Sequence, residues 1–246
     1  MTSSAPILSA RHVHRSYGDL EVLRDLSFEV GGPQLVGILG PAGSGKTSLL
    51  DLLEGLAEPS RGEIALFGKP LLPGAYPRQR VGVVLQREFL PEQICVAEYA
   101  DLFSAMCGVP GGASRILREA ELEASAKVRV DALSTLQAQN LFIASALVHD
   151  PELLFLDEPS FGVGSEAKVA LGEKLRSLSR QRTVVLSTDD LSEAEKICDF
   201  CLFLSQGRLC VAAPKAEILS SMPGRSLADS FLHLCSPRSA RQGQCA

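Results

Sequence analysis

The sequence predicts an α/β fold: a mostly parallel sheet covered on both faces, an antiparallel β layer at the N-terminus, and an inserted run of helices. Three observations predict it. Short apolar runs at 35–39, 153–156 and 183–187 each end at a polar turn, the pattern of strands buried on both faces. A glycine-rich turn follows the first run and leads directly into 46–56, where Leu49, Leu50, Leu53 and Leu56 recur at helical spacing. Strand, turn and helix in that order open a parallel sheet. The stretch to about Val30 alternates more strongly and carries the turn residues Tyr17, Gly18 and Asp19, which reads as flanking antiparallel strands.

The elements that follow complete the outline. Residues 88–131 carry helical signals, broken by a Gly-Val-Pro-Gly-Gly segment at 108–112. Residues 135–147 read as one helix, with Leu136, Ile143 and Leu147 on a face and Ser134 as its cap. The 246 residues, 46% hydrophobic and 22% charged, suit one globular unit with an insert. The expected division is a core with its β layer at 1–86 and 148–210, a helical subdomain at 87–147, and a C-terminal helical extension at 211–246.

Charge and cysteine content narrow the function classes. The net charge of −5 lacks the basic footprint of a nucleic-acid binder, so no nucleic acid is expected as a partner. No apolar run approaches the roughly 20 residues that cross a bilayer, and the first residues lack the apolar stretch of a signal peptide. A cytoplasmic protein is expected, reaching a membrane only through a partner. Seven scattered cysteines do not form a disulfide framework. Cys198 and Cys201 have the C-x-x-C spacing of a redox or metal site. With no second pair to complete a tetrahedral set, they read as small apolar residues near a strand start.

Two segments carry chemistry. Gly40, Pro41, Ala42, Gly43, Ser44, Gly45, Lys46 and Thr47, with Ser48 behind them, match G-x-x-x-x-G-K-[ST] in its strand-before, helix-after context. The glycines let backbone N–H groups converge on phosphate oxygens, and the helix adds its positive end. Lys46 is expected to reach the β- and γ-phosphates and Thr47 to ligate magnesium, so the fold class sharpens to a P-loop NTPase core. The run 153–156 then delivers Asp157 and Glu158 at a strand's carboxyl end, where ligands sit in open α/β sheets. Asp157 can hold the magnesium shell. Glu158 can act as general base on the attacking water.

With these motifs in place, the chain resembles the nucleotide-binding subunits of ABC transporters, nearly end to end. The resemblance implies that Tyr17 stacks on adenine. It implies that Gln86, at the end of 81–86, touches magnesium and the water in a loop that meets the membrane partner. It aligns Leu133, Ser134, Thr135, Leu136 and Gln137 with the family's L-S-G-G-Q signature, whose serine and backbone face the γ-phosphate held by the other subunit. Gly207, Arg208 and Leu209 with 212–219 are similar to the family's usual C-terminal ending, and 226–232 to the final helix of export ATPases. Three positions depart from the pattern. Both signature glycines are replaced, by Thr135 and Leu136, and only Gly gives backbone close approach at low cost. Asp189 stands where the family has a switch histidine, and a carboxylate cannot donate to phosphate. Gly164 replaces the D-loop aspartate.

The resemblance therefore implies the ATP-binding subunit of an ABC transporter, of exporter type. It would bind ATP and magnesium and work with a separate transmembrane permease subunit on the cytoplasmic face of the membrane. It would pair as a homodimer, or as a heterodimer with a second ABC ATPase. Its hydrolysis should be weak, because the elements acting across the dimer are degenerate while Lys46, Gln86 and Glu158 are kept. The alternative is a nucleotide-sensing regulatory subunit with little turnover.

Overall fold

The computed structural model describes residues 5–85, 93–222 and 225–235. The chain opens with β1 (Leu8–Tyr17) and β2 (Leu20–Val30), paired antiparallel from Leu8↔Val30 to Tyr17↔Leu20 around the turn at Gly18. β3 (Leu35–Leu39) is buried at every position. It delivers the chain to α1 (Lys46–Leu53).

That helix stops three residues short of the expected 46–56, and the reason is local. Gly55 takes φ +71°, a left-handed conformation that glycine reaches without strain. Its N–H donates to Leu52 O at 3.3 Å, and the Leu56 N–H to Asp51 O at 2.8 Å. These two reversed bonds close the helix end. Leu56, expected on the buried face, is 62% exposed.

β4 (Arg61–Leu66) pairs antiparallel with β1, and β5 (Lys69–Pro70) with β4, completing a four-stranded sheet in the order β2-β1-β4-β5. β6 (Val81–Val84) returns to the main sheet. Three α-helices follow it among the described residues. α2 (Val96–Met106) and α3 (Gly112–Glu119) are separated where Gly108 and Gly111 adopt φ +66° and +73°. α4 (Thr135–Ala146) begins on Ser134, whose Oγ accepts the Gln137 N–H at 3.3 Å. Gln137 Oε1 accepts the Ser134 N–H at 3.0 Å in return, a reciprocal cap.

The chain then alternates strand and helix: β7 (Leu153–Leu156), α5 (Ser165–Leu178), β8 (Thr183–Thr188), α6 (Leu191–Ile197), β9 (Phe200–Ser205) and β10 (Arg208–Pro214). α7 (Lys215–Ser221) and α8 (Leu227–Leu234) close it. The six-stranded sheet has the order β10-β9-β3-β8-β7-β6, parallel throughout except for β10 at its edge.

Alternation along the strands divides the interior into two cores. Leu35 and Leu39, Leu154 and Leu156, Val184 and Leu186, and Phe203 face the helices α2 to α6 and α8. Val36 and Ile38, Leu153 and Phe155, Val185, and Leu202 and Leu204 face α1 and the antiparallel sheet. Each such leucine or valine contributes about 1.5–3 kcal/mol when fully buried. Cys198 and Cys201 are fully buried in the first core, and burial pushes the Cys201 thiol up to about 12. A Cβ added at Gly37 would lie 2.8 Å from Cys198 Sγ, so the sulfur fills space that the glycine leaves.

The α1 C-cap residue Glu54 is an exception to ordinary burial. It is 5% exposed, and its Oε1 has no hydrogen-bond partner among the described residues. Burial first, then the charges of Asp157 and Asp51, push its carboxyl up to about 8 from 4.5. The folded state thus favours the neutral acid. That contribution is complete below the unfolded value of about 4.5 and is lost as pH rises towards about 8, at up to about 1.4 kcal/mol per pH unit. Glu54→Gln is therefore expected to flatten this slope and to melt higher than wild type at pH 8. Melting curves of the two proteins that fall in parallel from pH 5 to 8 would show that Glu54 is not the cause.

Candidate functional site

The site lies at the carboxyl end of β3, between β9 and β8, where successive connections leave towards opposite edges of the sheet. Gly40 follows β3 directly. A Cβ there would sit 2.2 Å from Leu204 O and 2.7 Å from Ser44 Oγ, so only glycine lets the chain pass. The Ser44 N–H donates to Pro41 O at 3.1 Å and closes the turn. Gly45, at φ +105°, then starts α1. A Cβ on it would meet Leu23 Cδ2 of β2 at 2.7 Å.

The loop encloses polar atoms that suit an anion. Ser44 Oγ is buried and has no partner among the described residues. Lys46 is also buried, its Nζ donating to Gly40 O at 2.9 Å and Pro41 O at 3.3 Å. The same nitrogen lies 3.7 Å from Glu158 Oε1. An orphaned hydroxyl, a buried ammonium and the N-terminal end of α1 fit the phosphates of a nucleotide.

Asp157 and Glu158 are set by β7 and β8 together. Thr47 Oγ1 donates to Asp157 Oδ2 at 3.1 Å, and Ser187 Oγ donates to Asp157 Oδ1. Ser187 Oγ in turn accepts the Glu158 N–H at 2.9 Å. Glu158 adopts φ +46°, uncommon for a residue with a side chain, and this bond holds it there. The threonine hydroxyl and the aspartate carboxylate are hard oxygen donors of the kind magnesium takes.

Tyr17 ends β1 and is 46% exposed. The Arg15 guanidinium lies 4.5 Å from its ring centroid and donates from Nη1 to Glu58 O at 2.7 Å, bracing the ring. Arg15 pairs with Leu23, the residue against Gly45, so this end of the hairpin stands beside the loop. Gln86 lies outside the described residues. Ser134 is exposed with its Oγ committed to the α4 cap. Leu136 is part-buried and packs against the core, which leaves Thr135 as the exposed side chain beside the cap. Gly164 has φ −64° and open space around it, so nothing in the backbone requires glycine there.

Asp189 is exposed just past β8. With Glu158, Phe161, Lys168, Thr188 and Asp190 it lines a cavity of about 180 Å³. Asp190 Oδ1 accepts the Glu193 N–H at 3.0 Å and caps α6. Its Oδ2 accepts from Lys168 Nζ at 3.1 Å. The backbone bond from Glu193 first, with Lys168 adding to it, holds the Asp190 carboxyl below the usual range. Ser187, Lys168 and Asp190 were not singled out by sequence. Ser187 is brought to Asp157 by the pairing of β7 with β8, Leu156↔Leu186, and no local pattern encodes that register.

Comparison with known proteins agrees with this geometry. The ABC transporter family matches residues 23–161. The Nod factor export ATP-binding protein I of Burkholderia orbicola is 40% identical over 228 residues, which cover 89% of this chain and 75% of that protein. The protein of the same name from Ralstonia nicotianae is 34% identical over 235 residues, covering 93% and 73%. A solved ATP-binding subunit of an ABC transporter superposes with a TM-score of 0.82 at 26% identity, covering 94% of this chain and 100% of that one. CbiO1 of Clostridium perfringens, part of the complex cbiONQ, superposes with a TM-score of 0.78 at 21% identity, covering 96% and 98%, a likeness of fold alone.

The loop geometry makes a direct prediction. Lys46→Ala removes the buried ammonium and is expected to weaken MgATP binding at least tenfold, about 1.4 kcal/mol. Calorimetry giving equal Kd values for mutant and wild type would refute the assignment of 40–48 as the phosphate cradle.

Proposed function

This chain belongs to the ABC transporter family of ATP-binding subunits, whose members generally hydrolyse ATP, and from that premise we propose that it binds MgATP and serves an exporter. The observation that carries the reading is the hydrogen-bonded join of Thr47, Asp157 and Ser187, which fastens the phosphate loop to the acidic end of β7. Export is supported by the relatives that carry export in their names.

Each residue has a role that its position permits. Backbone N–H groups of the loop and Ser44 Oγ take phosphate oxygens. Lys46 exchanges the carbonyls of Gly40 and Pro41 for the β- and γ-phosphates. Thr47 and Asp157 would hold magnesium, with Gln86 as a further ligand, and the ion would supply positive charge to offset that of the phosphates. Ser187 keeps Asp157 oriented. Glu158, placed by its N–H bond to Ser187, accepts the proton of the attacking water. Tyr17, braced by Arg15, offers its ring to the adenine.

The membrane part of the function is assigned to a separate permease subunit, with this chain peripheral on the cytoplasmic face. No helix among the described residues is long and apolar enough to cross a membrane. Head-to-tail pairing with a second ABC ATPase, identical or not, places the Ser134 end of α4 opposite the other subunit's nucleotide. Hydrolysis is slow in this reading, because Asp189 brings a carboxylate to the cavity beside Glu158 where a donor would serve. The same observation favours the second reading, a regulatory subunit that senses nucleotide with little turnover.

Two measurements separate these readings. Glu158→Gln is expected to cut steady-state ATPase roughly 100-fold or more and to leave ATP binding intact, as for loss of a general base. Turnover that survives the change would assign the activity elsewhere. Asp189→His combined with Thr135→Gly and Leu136→Gly is expected to raise turnover at least several-fold. A wild-type rate already at about 1–10 s⁻¹, unchanged by these reversions, would mean that the degenerate positions cost nothing.

A further inference from the structure

The cavity beside Glu158 has an unbalanced charge. Its walls carry three carboxylates, Glu158, Asp189 and Asp190, against one ammonium, that of Lys168. Asp190 is occupied twice, by the cap on α6 and by Lys168. Glu158 faces Lys46 at 3.7 Å. Asp189 is an exposed acid in the same cavity. A triphosphate held by Lys46, whose Nζ lies 3.7 Å from Glu158 Oε1, would meet further negative charge there.

Lys168 occupies a position that works against its own helix. It lies in the first turn of α5, whose N-terminal end is positive, and a cation there is disfavoured by the dipole. What it faces must account for its placement. Its side chain is only 32% exposed, and one of its three donors is used by Asp190 Oδ2. That bond anchors the stem at the wall of the cavity. The four-carbon chain is flexible, and Lys168 lines the same cavity as Glu158.

We propose that Lys168 senses the terminal phosphate of the bound nucleotide, offsetting Asp189 and Glu158 so that a triphosphate is preferred over a diphosphate. The proposal rests on the reading of residues 40–48 as the nucleotide loop. It accounts for how a chain with an acid after β8 retains a positive group in the same cavity. Lys168 acts at the γ-position alone, because the β-phosphate is served by Lys46 and the loop.

The test is calorimetry on the full chain with magnesium and either ADP or the imido analogue of ATP. Lys168→Met is expected to weaken the imido analogue at least fivefold and ADP less than twofold, while Lys168→Arg stays within about twofold of wild type for both. Asp190→Asn keeps a capping side chain but releases the ammonium, and is expected to leave the preference for the triphosphate analogue equal or greater. An unchanged ratio in Lys168→Met overturns the proposal. So does a fivefold or greater loss of affinity for the imido analogue in Asp190→Asn, which would make the lysine a brace for α6; this arm is read against wild type and decides even if Lys168→Met does not fold. A wild-type chain that binds neither nucleotide defeats the reading of the loop itself, and this proposal with it. Binding of both with no role for Lys168 defeats this proposal alone.

Discussion

Asp157 is gripped by two hydroxyls from different elements, Thr47 at the start of α1 and Ser187 near the end of β8, and the site is arranged around that carboxylate. The grip ties three loops together. The phosphate loop cannot shift from β3 without breaking the Thr47 bond, and Glu158 cannot turn without leaving Ser187. A buried carboxylate needs such partners, because without them the cost of removing its charge from water is large. The parallel sheet provides them by setting the ends of β3, β8 and β7 side by side.

The two cores explain why this end of the sheet can hold unfavourable features. β3, β7, β8 and β9 contribute alternate side chains to both, so the strands are clamped from above and below. That rigidity keeps Glu158 at φ +46° and a buried carboxyl at Glu54 whose Oε1 has no partner among the described residues, each of which costs free energy locally. Glu54 sits at the end of the same helix that carries Lys46 and Thr47 at its beginning. Its carboxyl feels the charge of Asp157, so the acidic end of the site and the far end of α1 are linked electrostatically.

The positions that the resemblance marks as altered, 133–137, Gly164 and Asp189, lie at the start of α4, at the start of α5 and after β8. In the structure Ser134 is committed to a helix cap, Gly164 has an ordinary φ of −64°, and Asp189 shares its cavity with Lys168. The residues proposed to serve phosphate and magnesium, Thr47, Asp157 and Glu158, are instead tied together directly or through Ser187.

Much of this was legible in the residues alone, where the physics is local. The phosphate loop is contiguous, and its glycines and Lys46 carry their meaning in their spacing. The cap at Ser134 and the buried runs of β3, β7 and β8 are also written within a few residues of one another. The early stop of α1 at Leu53 was not foreseen, because leucine periodicity continued through Leu56 while Gly55 in the left-handed conformation ended the helix. The partnerships of Asp157 with Ser187 and of Lys168 with Asp190 were decided only by tertiary structure. Each joins residues separated by 20 or more positions, 30 and 22 respectively, and depends on strand register and on where α5 begins. Sequence determined which chemical groups the chain possesses; the pairing of β7 with β8 decided which of them meet, because a shift of one residue along a strand reverses every side chain it presents.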